Sequence, residues 1–71
     1  GVSLDEALYY IHKGYALNVI TEDESVLVYA YDKSNVAYVS GENSFNTAKT
    51  ELEKLIGLKN TVILVCNIIK D

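Results

Sequence analysis

Between residues 15 and 40 the chain alternates between short runs of β-branched and aromatic residues and short polar segments. The apolar runs cover residues 16–20, 26–31 and 36–39, and each has the length of a strand. Segments 21–25 and 32–35 separate them and are charged or rich in turn-forming residues. The pattern is typical of strands joined by turns, and it predicts a three-stranded meander.

A helix is predicted before these strands. Ser3 and Glu6 have the spacing of a capping box, in which each side chain binds the backbone N–H of the other residue. Apolar residues then recur at helical spacing. Gly14 suits the left-handed position that follows a helix, so the helix is expected over residues 4–13.

A second helix is predicted after a break at residues 40–43. Ser44 or Asn46 is its expected N-cap, and Gly57 is its expected end. The spacing of the apolar residues places one stripe toward the core: Phe45, Ala48, Leu52, Leu55 and Ile56.

The segment 61–69 is the most apolar part of the chain, and six of its nine residues are β-branched. Its length and β-branching favour a strand over a helix. The predicted order is therefore α-β-β-β-α-β, in which a β-α-β crossover makes the third and fourth strands parallel. We expect one small α+β domain over residues 1–71, with a four-stranded mixed sheet and both helices packed on one face.

Strict alternation within each strand divides the strand residues between two faces of the sheet. The face that the helices are expected to cover consists of Leu17, Val19, Val26, Val28, Ala30, Ala37, Val39, Val62, Leu64, Cys66 and Ile68. Two short helices cannot cover both faces, so the other face is expected to contact a partner protein or a second copy. Tyrosine is favoured in partner-binding surfaces and also in packed strands. The expected interface residues are Tyr29, Tyr31, Tyr38, Leu27, Ile63, Val65 and Ile69.

The chemically reactive side chains do not form a recognisable site in the sequence. His12 is the single histidine and has no nucleophile or orienting partner at a recognisable spacing. Cys66 is the single cysteine, and one Cys with one His cannot complete a tetrahedral metal site. Glu22, Asp23 and Glu24 are contiguous, whereas calcium loops place their ligands at alternate positions. We therefore predict no catalytic, cofactor-binding or metal-binding residue, no cofactor and no enzymatic activity.

The charge balance argues against two classes of partner. The chain has ten acidic residues, six lysines and no arginine, which gives a net charge of −4. Nucleic-acid binding depends on cationic side chains that neutralise phosphates, and no apolar run approaches the ~18 residues of a membrane span. Small secreted domains usually carry several disulfides, whereas one cysteine allows none within the chain. We therefore expect neither nucleic acid nor membrane as a partner, and a cytoplasmic location.

These observations favour a small non-enzymatic protein-binding module. Lys, Asn, Ile and Tyr each occur six times, and their AT-rich codons favour a low-GC bacterium or its phage as the source. A regulator or inhibitor that acts through a protein surface in the host cytoplasm is the expected function. The alternative is an oligomeric small-molecule-binding or catalytic subunit whose site forms at the subunit interface.

Overall fold

The computed structural model describes residues 2–67, which form two helices and five strands. In chain order these are α1 (Leu4–His12), β1 (Tyr15–Ile20), β2 (Ser25–Tyr31), β3 (Asn35–Ser40), β4 (Asn43–Ala48), α2 (Lys49–Ile56) and β5 (Val62–Asn67). The strands form one sheet in the order β4-β3-β2-β1-β5, and every neighbouring pair is antiparallel. The predicted α+β class is confirmed.

The predicted capping box at the start of α1 is present. The Glu6 backbone N–H donates to Ser3 Oγ at 3.2 Å, and the Ser3 backbone N–H donates to Glu6 Oε1 at 3.3 Å. After the helix, Gly14 has φ of +99°. A residue with a Cβ is strained there, so glycine lets the chain turn directly from α1 into β1.

The prediction of four strands is wrong, because residues 43–48 form β4 rather than the first turn of a helix. Ser40 and Asn43 face each other across a two-residue turn in which Gly41 has φ of +64°. Glycine at the first position of a two-residue loop favours a hairpin. Ser44 and Asn46, the predicted helix caps, therefore lie within a strand. Helix α2 starts only at Lys49 and has no side-chain cap.

The prediction of a mixed sheet is also wrong, and the extra strand is the reason. Because β4 reverses the chain once more, the strands on either side of α2 still run in the same direction. They lie at opposite edges of the sheet, however, with three strands between them. β5 therefore pairs with β1, and this pairing is antiparallel.

Both helices pack on the same face of the sheet, as predicted. α1 lies over β1 and β2, while α2 lies beside β3 and β4. Their apolar side chains join the inward residues of three strands in one core cluster, which consists of Ala7, Ile11, Leu17, Val19, Val26, Val28, Val36 and Leu52.

A β-bulge in β2 changes which residues point toward the helices. Val28 pairs with Tyr38 and Ala30 pairs with Ala37, so Tyr29 is an extra residue between two successive pairs. Strict alternation fails at this point, and every later residue of β2 and β3 lies on the face opposite to the one predicted. Ala30, Ala37 and Val39 were expected beneath the helices and instead face away from them.

The faces of β5 are likewise the reverse of the prediction. Ile63 lies opposite Val19, and Val65 lies opposite Leu17, so both share the helix-facing side with these core residues. Val62, Leu64 and Cys66 consequently face away from the helices, and Ile68 lies outside the described residues. Because β5 is apolar on both sides, its alternation contained no information about orientation.

Candidate interaction surface

Neither helix of the described part covers the sheet face that points away from the core cluster. We call it the open face. The strand pairings assign to it Ala16, Asn18, Ile20, Ser25, Leu27, Ala30, Asn35, Ala37, Val39, Ser44, Asn46, Ala48, Val62, Leu64 and Cys66. Tyr29, the bulge residue, lines a hollow on the same face. Most of these side chains are aliphatic or aromatic.

The open face carries no charge. None of the residues in β1 to β5 is an acid or a lysine, so the charged side chains of residues 2–67 lie on the helices and in the connections. The polar groups of the open face are the side chains of Asn18, Ser25, Asn35, Ser44 and Asn46 and the Tyr29 hydroxyl. The hydroxyl of Ser25 donates to Asn18 Oδ1 at 2.9 Å. Depletion of charge is the compositional mark of the centre of a protein interface.

The open face contains a shallow apolar hollow of about 400 Å³. Ala16 forms its small-residue floor and is only 3% exposed, although no helix lies above it. The surrounding side chains are Leu27, Tyr29, Val39, Cys66 and Asn67. Because large side chains lie beside small ones, this face has projections and hollows that can interdigitate with the side chains of another surface.

Strand β5 forms one margin of the open face and is exposed on both sides. Val62 and Leu64 on the open side are 51% and 49% exposed, and Val65 on the helix-facing side is 47% exposed. α1 lies over β1 and β2, which leaves the outer side of β5 without a cover. An exposed apolar edge strand presents free backbone donors and acceptors together with apolar side chains.

The structure places two of the predicted interface residues, Leu27 and Tyr29, on the open face. Tyr31 and Tyr38 were predicted there, but the bulge turns them toward the helices. Tyr38 stacks on the ring of Phe45, with centroids 5.5 Å apart.

The predicted interface residues of β5 are also distributed differently from the prediction. Ile63 and Val65 point to the helix side, and Ile69 lies outside the described residues. The open-face residues that sequence reasoning assigned to the core are Ala30, Ala37, Val39, Val62, Leu64 and Cys66. A sequence signal for the bulge would have recovered the first three, but Tyr29 itself gives none.

The side chains with chemical potential remain scattered. His12 Nδ1 lies 3.4 Å from the Tyr31 hydroxyl at the exposed end of α1. The Lys49 ammonium lies 5.0 Å from the centre of the Tyr31 ring and donates to the Lys33 carbonyl. Within residues 2–67, no three His, Cys, Asp or Glu side chains converge as a metal site.

The connections on the charged side of the molecule are built from local hydrogen bonds. Asp32 Oδ1 accepts from the backbone N–H groups of Ser34 and Asn35 at 2.9 and 2.8 Å. These bonds, first that of Ser34, hold the pKa of the Asp32 carboxyl below its ordinary value, with a smaller contribution from Lys49. This hydrogen-bonded carboxylate supports the turn between β2 and β3.

Comparison with protein-family models, with curated proteins and with solved structures finds no match to this chain. No helix in the described part is both long and apolar enough to cross a membrane.

Proposed function

We propose that this chain is a small non-enzymatic protein-binding module whose contact surface is the open face with its margin at β5. The observation that carries the proposal is that a five-stranded sheet has one face with neither charge nor a helix of the described part over it. A face exposed to water throughout the life of a protein normally carries charged side chains among its apolar ones.

The size of the open face supports a protein as its partner. Five strands spaced ~4.8 Å apart span about 24 Å, and six residues per strand span about 20 Å. The face therefore covers roughly 500 Å², and most of its side chains are aliphatic or aromatic. Monomeric proteins rarely expose contiguous apolar patches larger than a few hundred Å².

The edge at β5 supports the same proposal. Natural edge strands are protected by lysines, prolines, bulges or a covering element. β5 contains no charge or proline, and its pairing with β1 continues without interruption from Ile20 and Val62 to Tyr15 and Asn67. A partner that covers the open face would also shield Val62 and Leu64.

A regulatory or inhibitory role for a phage or mobile element is part of the proposal, and its support is the abundance of Lys, Asn, Ile and Tyr, whose AT-rich codons fit a low-GC bacterium or its phage. Binding through a surface without a catalytic group is consistent with such a role, because an inhibitor acts by occupying its target.

Site-specific photo-crosslinking tests the proposed surface. A benzophenone amino acid replaces Tyr29 on the open face or, as a matched control, Tyr9 on α1. Both tyrosines are exposed, at 38% and 57%. We expect protein adducts in cells from position 29 and not from position 9. Adducts from position 9 alone, or none from position 29, would overturn the proposal.

The second candidate function is an oligomeric small-molecule-binding or catalytic subunit whose site forms at the subunit interface. The apolar hollow around Ala16 favours it, because a second subunit would close this hollow into a cavity. Native mass spectrometry of the purified protein tests it. A retained non-protein mass that Leu27→Trp removes would support this candidate, and the absence of any such mass would contradict it.

A further inference from the structure

We propose that the occupant of the open face is a second copy of this chain, packed face to face about a two-fold axis. This inference rests on the proposed function and specifies its partner. The product is a four-layer assembly in which two sheets are in contact at the centre and the helices form the outer layers.

The area of the open face fits this occupant. Each copy contributes roughly 500 Å², so two copies bury about 1,000 Å² in total, which is the lower limit of a specific interface. A single docked helix or strand would cover only part of the face. A second sheet of equal width and length would cover the whole open face. Only then does the buried area reach the roughly 1,000 Å² of a specific interface.

The charge distribution removes the main obstacle to self-association. Two copies with a net charge of −4 each repel one another wherever their charged surfaces approach. Their open faces carry no charge, so face-to-face packing places acids and lysines at the rim or on the outer layers. Water and salt screen the repulsion there.

The shape of the open face is suited to pairing with itself. Two sheets pack about 10 Å apart when the side chains of their inner faces interdigitate. The open face has large residues at Leu27, Tyr29 and Leu64 beside small ones at Ala16, Ala30 and Ala37. A two-fold contact needs projections and hollows on the same surface, since each copy supplies both.

The polar groups of the open face are compatible with this packing. Ser44 and Asn46 lie on the edge strand β4, where the rim of an interface remains in contact with water. Asn18 lies nearer the centre, and its carbonyl oxygen already accepts from Ser25.

Sedimentation equilibrium of the purified chain, from low to high micromolar concentration, tests the inference. Leu64→Asp and Val65→Asp change adjacent residues with matched exposure on opposite sides of β5. Leu58→Asp is a further control, because Leu58 is 52% exposed and follows α2. We expect a reversible dimer that Leu64→Asp weakens by roughly 10-fold or more, since each copy would place a carboxylate at the margin of an apolar contact. Val65→Asp and Leu58→Asp should change it less than about threefold.

The other outcomes are distinct. Equal weakening by Leu64→Asp and Val65→Asp would indicate pairing of β5 edges and would overturn face-to-face packing. Circular dichroism shows whether Leu64→Asp folds. If it does not fold, Tyr29→Lys tests the same contact from the central strand, β2. A wild-type monomer at every concentration would overturn the second copy as occupant. Protein binding as such would then still be decided by the crosslinks from position 29.

Discussion

The two edge strands, β4 and β5, have the same length and one neighbour each, yet their chemistry differs. β4 is polar, presents Ser44 and Asn46 on the open face, and leads directly into Lys49 and α2. β5 consists of aliphatic residues, a cysteine and one asparagine, and it is half exposed on both sides. β4 has the composition of an edge that remains in water, whereas β5 has that of a strand inside a larger structure.

This difference shows how burial is divided within a small sheet. The helices cover the centre of the sheet and leave both edge strands largely exposed, β4 with mostly polar side chains and β5 with mostly aliphatic ones. A chain of 71 residues has little surplus apolar surface with which to cover both. Substitutions in β4 and in the residues that support it test this contrast between the two edge strands.

The largest effect is expected from Leu52→Ala, which loosens the β4 side. Leu52 is 1% exposed and anchors α2 in the core cluster. The substitution leaves a cavity and should lower the free energy of unfolding by about 3 kcal/mol, measured by urea denaturation. Hydrogen exchange should increase more in β4 than in β5. Leu58→Ala is the control and should cost less than about 1 kcal/mol, so equal losses for the two variants would contradict the role of Leu52.

A smaller effect is expected when β4 is given the character of β5. Asn46→Val adds a β-branched apolar side chain to the open face at the polar edge. If apolar edges drive association, it should tighten self-association about fivefold, which corresponds to partial burial of one valine. Sedimentation velocity measures this change. Asn43→Val lies at the turn end of the same strand and should have no comparable effect. An unchanged sedimentation coefficient for Asn46→Val would show that apolar side chains at a sheet edge do not drive self-association.

The hairpin that creates β4 depends on the backbone of Gly41. Gly41→Ala places a Cβ at φ of +64°, which costs about 1 kcal/mol. Gly57→Ala is a suitable comparison, because Gly57 has φ of −81° and a Cβ there meets only ordinary contacts. Thermal unfolding should therefore show a lower Tm for Gly41→Ala than for Gly57→Ala. The reverse order would show that the turn does not limit β4.

The smallest effect concerns the turn that borders β4. The Lys49 backbone N–H donates to the Ser34 carbonyl, so the turn containing Asp32 is joined to the end of β4. Because the pKa of Asp32 is lowered in the folded state, its contribution to stability is present above about pH 4. That contribution is lost as the pH falls through the lowered value. In Asp32→Ala this part of the acid dependence, measured by denaturation between pH 2 and pH 6 as a rough window, should be missing. An unchanged acid profile would contradict the role of the turn.

The elements with local signals could be predicted from the sequence. The start of α1 depends on Ser3 and Glu6 alone, and β1 to β3 lie in runs bounded by polar turns. β4 was missed because Phe45, Ala48 and Leu52 also have helical spacing. Residues 43–48 form a strand rather than a helix because the hairpin at Gly41 pairs them with β3.

The composition of the open face could not be predicted in the same way. One inserted residue at the bulge, Tyr29, places Tyr31, Val36 and Tyr38 on the face opposite to the one that strict alternation predicts. The side chain of Tyr29 gives no sequence signal for a bulge. In β5 both alternating sets are apolar, so only the pairing of Val65 with Leu17 decides which set faces the helices. Sequence reasoning therefore identified the existence of an uncovered face and only part of its membership.

The pairing of β5 with β1 has a consequence for how the chain folds. The other neighbouring strands are joined by short hairpins, whereas Ile20 pairs with Val62 and Tyr15 with Asn67. Closing so long a loop costs more conformational entropy, so this contact is expected to form late. The most apolar strand, β5, is then the last to pair with the sheet. When β5 dissociates from β1, β1 becomes an unpaired edge strand. Release of β5 would appear as amide protection that is lost first in β1 and β5. A β5 from another molecule fits the β1 edge as well as its own does, so exchange of β5 between copies would appear as a strand-swapped dimer.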